Sequence, residues 1–179
     1  MHRSLKWGVA VAAAIVQFFM ANHAAQADDG ASFTSPTGLY SLTISPGWEL
    51  DKTGTGTNKV DAAFAPDGDP SRGSVYITLS NAQGSLEDER SAYVGGAQIS
   101  GEHHVTINGI DCLAFTSSTQ DGQVINESVI CHVSAPTGDG ALHVAVIMTS
   151  SVTPSHYAQQ KDVFWQIANS IVWGRGIAP

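Results

Sequence analysis

The stretch Ile110-Asp-Cys-Leu-Ala-Phe-Thr-Ser-Ser-Thr-Gln-Asp-Gly-Gln-Val-Ile-Asn-Glu-Ser-Val-Ile-Cys-His-Val-Ser134 reads as two β-strands joined by a tight connection. Asp121-Gly122 is a strong two-residue hairpin signal, because both residues tolerate the positive φ that such turns demand. In a hairpin centred there, facing residues share an index sum of 243, and Cys112 and Cys131 satisfy it. Their Cα atoms would then lie roughly 4.5–5.5 Å apart, within reach of a disulfide. Counting outward from a two-residue turn puts them at a hydrogen-bonded pair, where a bulge would have to adjust the register.

Both faces of this region are apolar. Leu113, Phe115, Ile130 and Ile147 fall on one side, and Ile110, Cys112, Val129, Cys131, Val133, Val144 and Val146 on the other. A sheet apolar on both sides must be covered on both, and helices are the available cover. The expected class is therefore α+β: a largely antiparallel β-sheet covered by helices on both faces, an α/β/α sandwich.

Working outward, Asn108-Gly109 is a turn with a strand over 103–107 before it. Further strands are expected over 39–45, 48–50, 60–65 and 74–80, separated by Pro46-Gly47 and by loops rich in Gly, Pro and Asp. Ser85 with Asp88 three residues later marks a helix start, and that helix is expected to run to Ala97. A second helix begins at Thr153 or Ser155 and is expected to end near Trp173-Gly174. If Thr137-Gly138 centre the connection over 135–140, the index sum is 275 and His132 faces His143.

The N-terminus has the order of a secretory signal: Arg3 and Lys6, an apolar run from Trp7 to Met20, then Ala25-Gln26-Ala27. The run is shorter than the roughly 20 residues that span a bilayer. Residues 1–27 are therefore expected to be removed, 28–36 to form a flexible leader, and 37–175 a single domain. No cysteine follows the small residues, so no stable membrane anchor is expected after cleavage. Past residue 27, Lys52, Lys59, Arg72, Arg90, Lys161 and Arg175 stand against sixteen acids, a net charge of −10. That balance excludes nucleic acid, since phosphate binding needs clustered Lys and Arg. It suits a periplasmic or secreted protein, a cation binder, or a ligand of something basic. In such a compartment two cysteines pair.

The phrase Pro36-Thr-Gly-Leu-Tyr-Ser-Leu-Thr-Ile-Ser-Pro-Gly-Trp48, the middle helix, the Asn108-Gly109 turn, the meander over 104–149 and the C-terminal helix over 157–173 together resemble the PsbP/DcrB/LpqN-like superfamily. The resemblance implies an exported α/β/α sandwich acting as an accessory or binding component, with no enzymatic activity. The chain departs from the lipoprotein members in lacking a lipidated cysteine, and it lacks the basic surface of a photosystem-docking member.

Candidate chemistry is sparse. His132 and His143 on adjacent strands could present two imidazoles to a divalent metal, with His103 or His104 as a third ligand. Asp67-Gly68-Asp69 offers carboxylates without the spacing of a calcium loop. Gly54 to Lys59 lacks the Gly-Lys-Ser/Thr end of a phosphate loop. Ser155, His156 and Asp162 are the nearest approach to a hydrolase set, with no Gly-x-Ser-x-Gly nucleophile turn. Asn126-Glu127-Ser128 has the form of a glycosylation sequon in mid-strand. Trp48 follows a tight turn, and Trp165 lies one residue off the apolar stripe of its helix; either could anchor a partner. The leading expectation is a non-enzymatic accessory protein, without cofactor, that binds another envelope or secreted protein. The alternatives are a metal-binding periplasmic protein using His132 and His143, and a small secreted hydrolase.

Overall fold

Alternating side chains decide where each strand sits. The computed structural model describes residues 30–54, 56, 60–137 and 140–179; the proposed signal peptide and most of the 54–59 loop lie outside these. Ten strands are present among them: β1 (Ser32–Thr34), β2 (Tyr40–Thr43), β3 (Trp48–Leu50), β4 (Val60–Pro66), β5 (Ser74–Asn81), β6 (Gln98–Ile107), β7 (Ile110–Ser118), β8 (Ile125–Thr137), β9 (Gly140–Val152) and β10 (Val172–Trp173). Two α-helices accompany them, α1 (Leu86–Val94) and α2 (Tyr157–Asn169). The main sheet runs β3-β4-β5-β9-β8-β7-β6, antiparallel throughout, and β1-β2-β10 form a smaller antiparallel sheet.

The β7–β8 hairpin keeps the expected register, with Cys112 opposite Cys131 and a disulfide between them. The bulge proves unnecessary. The connection closes at Thr119 N–H to Val124 O (3.1 Å), one pair further out than a two-residue turn. That keeps the index sum and switches the alternation, so the cysteines occupy a non-hydrogen-bonded pair, as their 4.4 Å Cα separation shows.

The next hairpin departs from expectation. Thr137 faces Gly140, so the turn centres one residue later and the index sum is 277. His132 therefore faces Ala145, and His143 faces Ser134. The two histidines are not directly opposed; they are diagonal neighbours on one face.

Several boundaries also differ: β6 begins at Gln98 rather than at 103, and α2 begins at Tyr157, after a 3₁₀ turn over Pro154–His156, rather than at Thr153 or Ser155. Residues 32–34, expected in a flexible leader, form β1, because Phe33 packs on the core and β1 pairs with β2. Helix α1 stops at Val94 rather than Ala97, where Gly95 takes φ 56°. Helix α2 stops at Asn169, and Val172–Trp173 pair with Ser41 and Tyr40 instead of continuing it. The chain past 175 is engaged too, since Ala178 bridges to Ser134.

The core divides by strand parity. The larger cluster joins Phe64, Ile77, Ala114, Val129, Val146 and Met148 of the main sheet to Tyr40 and Leu42 of the small sheet and Phe164, Ile167 and Ala168 of α2. The smaller cluster is Phe115, Ile130, Ala145 and Ile147, with Leu86 and Val94 of α1 against it. Cover is thus unequal. The fold is mostly antiparallel sheet with two helices, and α1 is short enough to leave Tyr76, Thr78 and Ser80 half-buried.

Candidate binding groove

Helix α2 lies across the larger cluster and leaves a different environment on each flank. On one flank the Pro46-Gly47 turn, Trp48, Pro66, Asp67 and the 3₁₀ turn Pro70–Arg72 face Ser151 to Thr153, His156, Gln159, Gln160 and Val163 across a groove of about 810 Å³. That volume is within the range of ligand sites. Trp48 is half-buried, packed against the core on one side and lining the groove on the other. Gln160 is only 4% exposed, and its amide N–H donates to Ser74 O at 3.1 Å. Gly73 lies directly under that amide. Gly73 has φ 118°, and a Cβ there would stand 2.1 Å from Gln160 Oε1, so a side chain would need both a strained backbone and a displaced Gln160 amide.

On the other flank sits a feature that sequence reading missed. Glu127 is 3% exposed, yet carries a carboxylate. Its Oε1 accepts from the Trp165 indole N–H (2.9 Å) and lies 3.4 Å from Lys161 Nζ. Its Oε2 accepts from the Tyr157 hydroxyl (2.7 Å) and the Thr116 hydroxyl (2.9 Å). Tyr157, Lys161 and Trp165 are spaced by four, so one stripe of α2 converges on one acid. The signal was available: Glu127 shares the apolar parity of Val129, Cys131 and Val133. Partial burial works against the charge on Lys161, but Glu127 and then Tyr157 outweigh it and hold its pKa above the ordinary lysine value. Trp165, one residue off the apolar stripe of its helix, is half-buried with its indole N–H engaged by Glu127.

The metal candidates do not converge. His143 Nδ1 pairs with Ser134 Oγ at 3.0 Å, while His132 Nε2 is buried with no hydrogen-bond partner among the described residues. His104 lies between Asp111 (3.0 Å) and Glu87 (3.5 Å), and His103 contacts Gly101 O (2.7 Å) on the opposite side of β6. Among the described residues no group of three or more His, Cys, Asp or Glu is placed to hold an ion. Asp67 pairs with Arg72, and Asp69 caps the 3₁₀ turn through Ser71 N–H (3.0 Å), so both carboxylates serve the chain itself. His156 Nδ1 contacts Thr153 (3.1 Å) and Ser155 (3.2 Å) in its own turn, and Asp162 is exposed six residues further on. Among the described residues no helix is long and apolar enough to cross a membrane.

No protein-family model matches the chain, and no curated protein matches it in sequence. Solved structures do match in shape. Cyanobacterial PsbP (CyanoP) of Synechocystis sp. PCC 6803 is 12% identical with a TM-score of 0.57, over 83% of this chain and 95% of that one. LpqN of Mycobacterium tuberculosis, involved in cell envelope biogenesis, is 14% identical with a TM-score of 0.54, over 86% and 88%. The Saccharomyces cerevisiae Ran-binding protein Mog1p is 10% identical with a TM-score of 0.50, over 82% and 96%. At such identities the likeness speaks for fold alone. The chain carries the PsbP-like fold.

Proposed function

We propose that this is an exported, non-enzymatic accessory protein of the cell envelope, an α/β/α sandwich that docks onto another protein through the groove beside Trp48. The observation that carries this reading is the groove itself. A half-buried Trp on a rigid turn faces polar groups without an activated nucleophile or a base positioned by an acid. The fold neighbours support it, since one is involved in cell envelope biogenesis and another binds Ran. The Cys112–Cys131 bridge supports an oxidising compartment. A photo-crosslinking residue in place of Trp48 should yield a defined protein adduct in cells that the same residue in place of Asp111 does not. Equal adducts, or none, would remove the groove from the interface. Export is checked separately: the protein recovered from the periplasm or medium should begin at Asp28, and an intact Met1 form confined to the cytoplasm would refute it.

A second reading, a metal-binding protein, has one observation in its favour: the orphaned His132 Nε2 with His143 diagonal to it. A thermal shift with zinc or copper that disappears in His132→Ala would promote it, and flat curves would retire it.

A further inference from the structure

Helix α1 is held to the sheet by polar contacts more than by apolar ones. Leu86, Arg90 and Val94 are spaced by four and share the stripe that faces the sheet. Leu86 and Val94 pack on the cluster of Phe115, Ile130, Ala145 and Ile147, while Arg90 reaches Glu102 of β6 at 3.2 Å. The Tyr93 hydroxyl meets the Thr149 hydroxyl at 2.8 Å, and Glu87 meets His104 of β6 at 3.5 Å. Glycines bound the helix: Gly84 with φ 80° stands before it, and Gly95 with φ 56°, followed by Gly96, stands after it. The backbone at both ends therefore tolerates a hinge. A short element with so few apolar contacts opens at low cost in free energy.

His104 is the fastener whose state changes near neutral pH. Its Nδ1 lies 3.0 Å from Asp111 of β7 and its Nε2 3.5 Å from Glu87 of α1, so each ring nitrogen faces a carboxylate. An imidazolium donates to both. A neutral imidazole carries one N–H, and the closer Asp111 keeps it on Nδ1, which turns the bare Nε2 lone pair toward Glu87. The hydrogen bond and charge of Asp111, then the charge of Glu87, hold the His104 pKa above the ordinary imidazole value. The neighbouring charges are engaged elsewhere. Arg90 pairs with Glu102, Asp88 closes the capping box with Ser85, and Glu89 accepts from Gln83 N–H at 2.5 Å. His103 turns to Gly101 O on the other side of β6, and His132 of β8 lies one strand beyond Asp111. His104 and Asp111 both belong to the sheet, so lifting α1 breaks the Glu87 contact alone. The fastening is complete where His104 is protonated and is lost as pH rises through its folded pKa.

We propose that α1 is a hinged cover over Phe115, Ile130 and Ile147, latched to the sheet by protonated His104 and loosened when that imidazole gives up its proton. The cover lies on the sheet face opposite the groove, so it is independent of what docks there. Amide hydrogen exchange of the whole protein, followed from about pH 5 to about pH 8 and corrected for intrinsic rates, reads the opening as protection factors. Protection in α1 should fall about two- to fivefold across the His104 titration, the scale of one exposed ion pair, while β8 holds constant. His104→Gln should make α1 protection flat with pH. Arg90→Gln removes a fastener that does not titrate, so it should lower α1 protection at every pH and keep the step. Circular dichroism verifies that each variant keeps its fold. Three results overturn the proposal: flat α1 protection in the wild type, a step that survives in His104→Gln, or β8 losing protection in parallel with α1, which marks destabilisation of the whole domain.

Discussion

Two side chains illustrate how a single residue acquires its role from its neighbours. Glu127 sits where a valine would be expected, and its desolvation is offset by four donors. Glu127→Ala should therefore cost about 2–4 kcal/mol in urea denaturation, because Tyr157, Trp165 and Thr116 lose their acceptor together. Glu127→Gln should cost less, since an amide oxygen can keep part of the set; equal loss in both would mean that charge alone matters. His104 is the opposite case, exposed and flanked by carboxylates. The hydrogen bond to Asp111, then the charges of Asp111 and Glu87, raise its pKa above the ordinary imidazole value. A raised folded pKa means that its contribution is complete below the unfolded pKa, about 6.5, and is lost as pH rises through the folded value. An NMR titration should show that elevated midpoint, and Asp111→Asn should bring it down. An unchanged midpoint would assign the shift elsewhere.

At the level of elements, local sequence signals and pairing geometry carry the stability. Ser85 accepts from Asp88 N–H at 3.2 Å while Asp88 accepts from Ser85 N–H at 2.9 Å, a complete capping box. Helix α1 makes few core contacts, so Ser85→Ala should cost about 1 kcal/mol and show as faster amide exchange confined to α1. Exchange spreading through the sheet would contradict that localisation. The β7–β8 hairpin is fastened by its disulfide across a sequence separation of 19. Under oxidising conditions Cys112→Ser should destabilise the domain by about 2–4 kcal/mol, and wild-type protein melting identically when oxidised and reduced would argue against it.

For the whole molecule, the joint between the two sheets matters most. Trp173 closes it: its backbone pairs with Tyr40, its indole N–H donates to Ile107 O at 2.8 Å, and its ring packs on the larger cluster. Trp173→Ala should cost about 3–4 kcal/mol and lower both near- and far-ultraviolet melting transitions together. Separate transitions would show that the small sheet unfolds alone.

The sequence by itself determined the existence of the main-sheet strands, the start of α1, and the disulfide with its register, because each depends on alternation, turn residues or capping within a few positions; β1, β10 and the start of α2 at Tyr157, past a 3₁₀ turn over Pro154–His156, lay outside that reading. It also carried the PsbP-like resemblance. Tertiary structure decided what no local pattern contains. The β8–β9 register turned on one residue of turn placement, and that single step moved His132 and His143 from opposed to diagonal. The end of α2 was set by Val172 and Trp173 finding β2, a partner some 130 positions away. Glu127 showed the same limit: an acid on an apolar parity is visible in sequence, but its four donors come from another strand and from a helix beginning thirty residues later. The groove likewise exists only where the Pro46-Gly47 turn, the Asp67 turn and α2 meet, since long-range packing rather than sequence proximity brings those surfaces together.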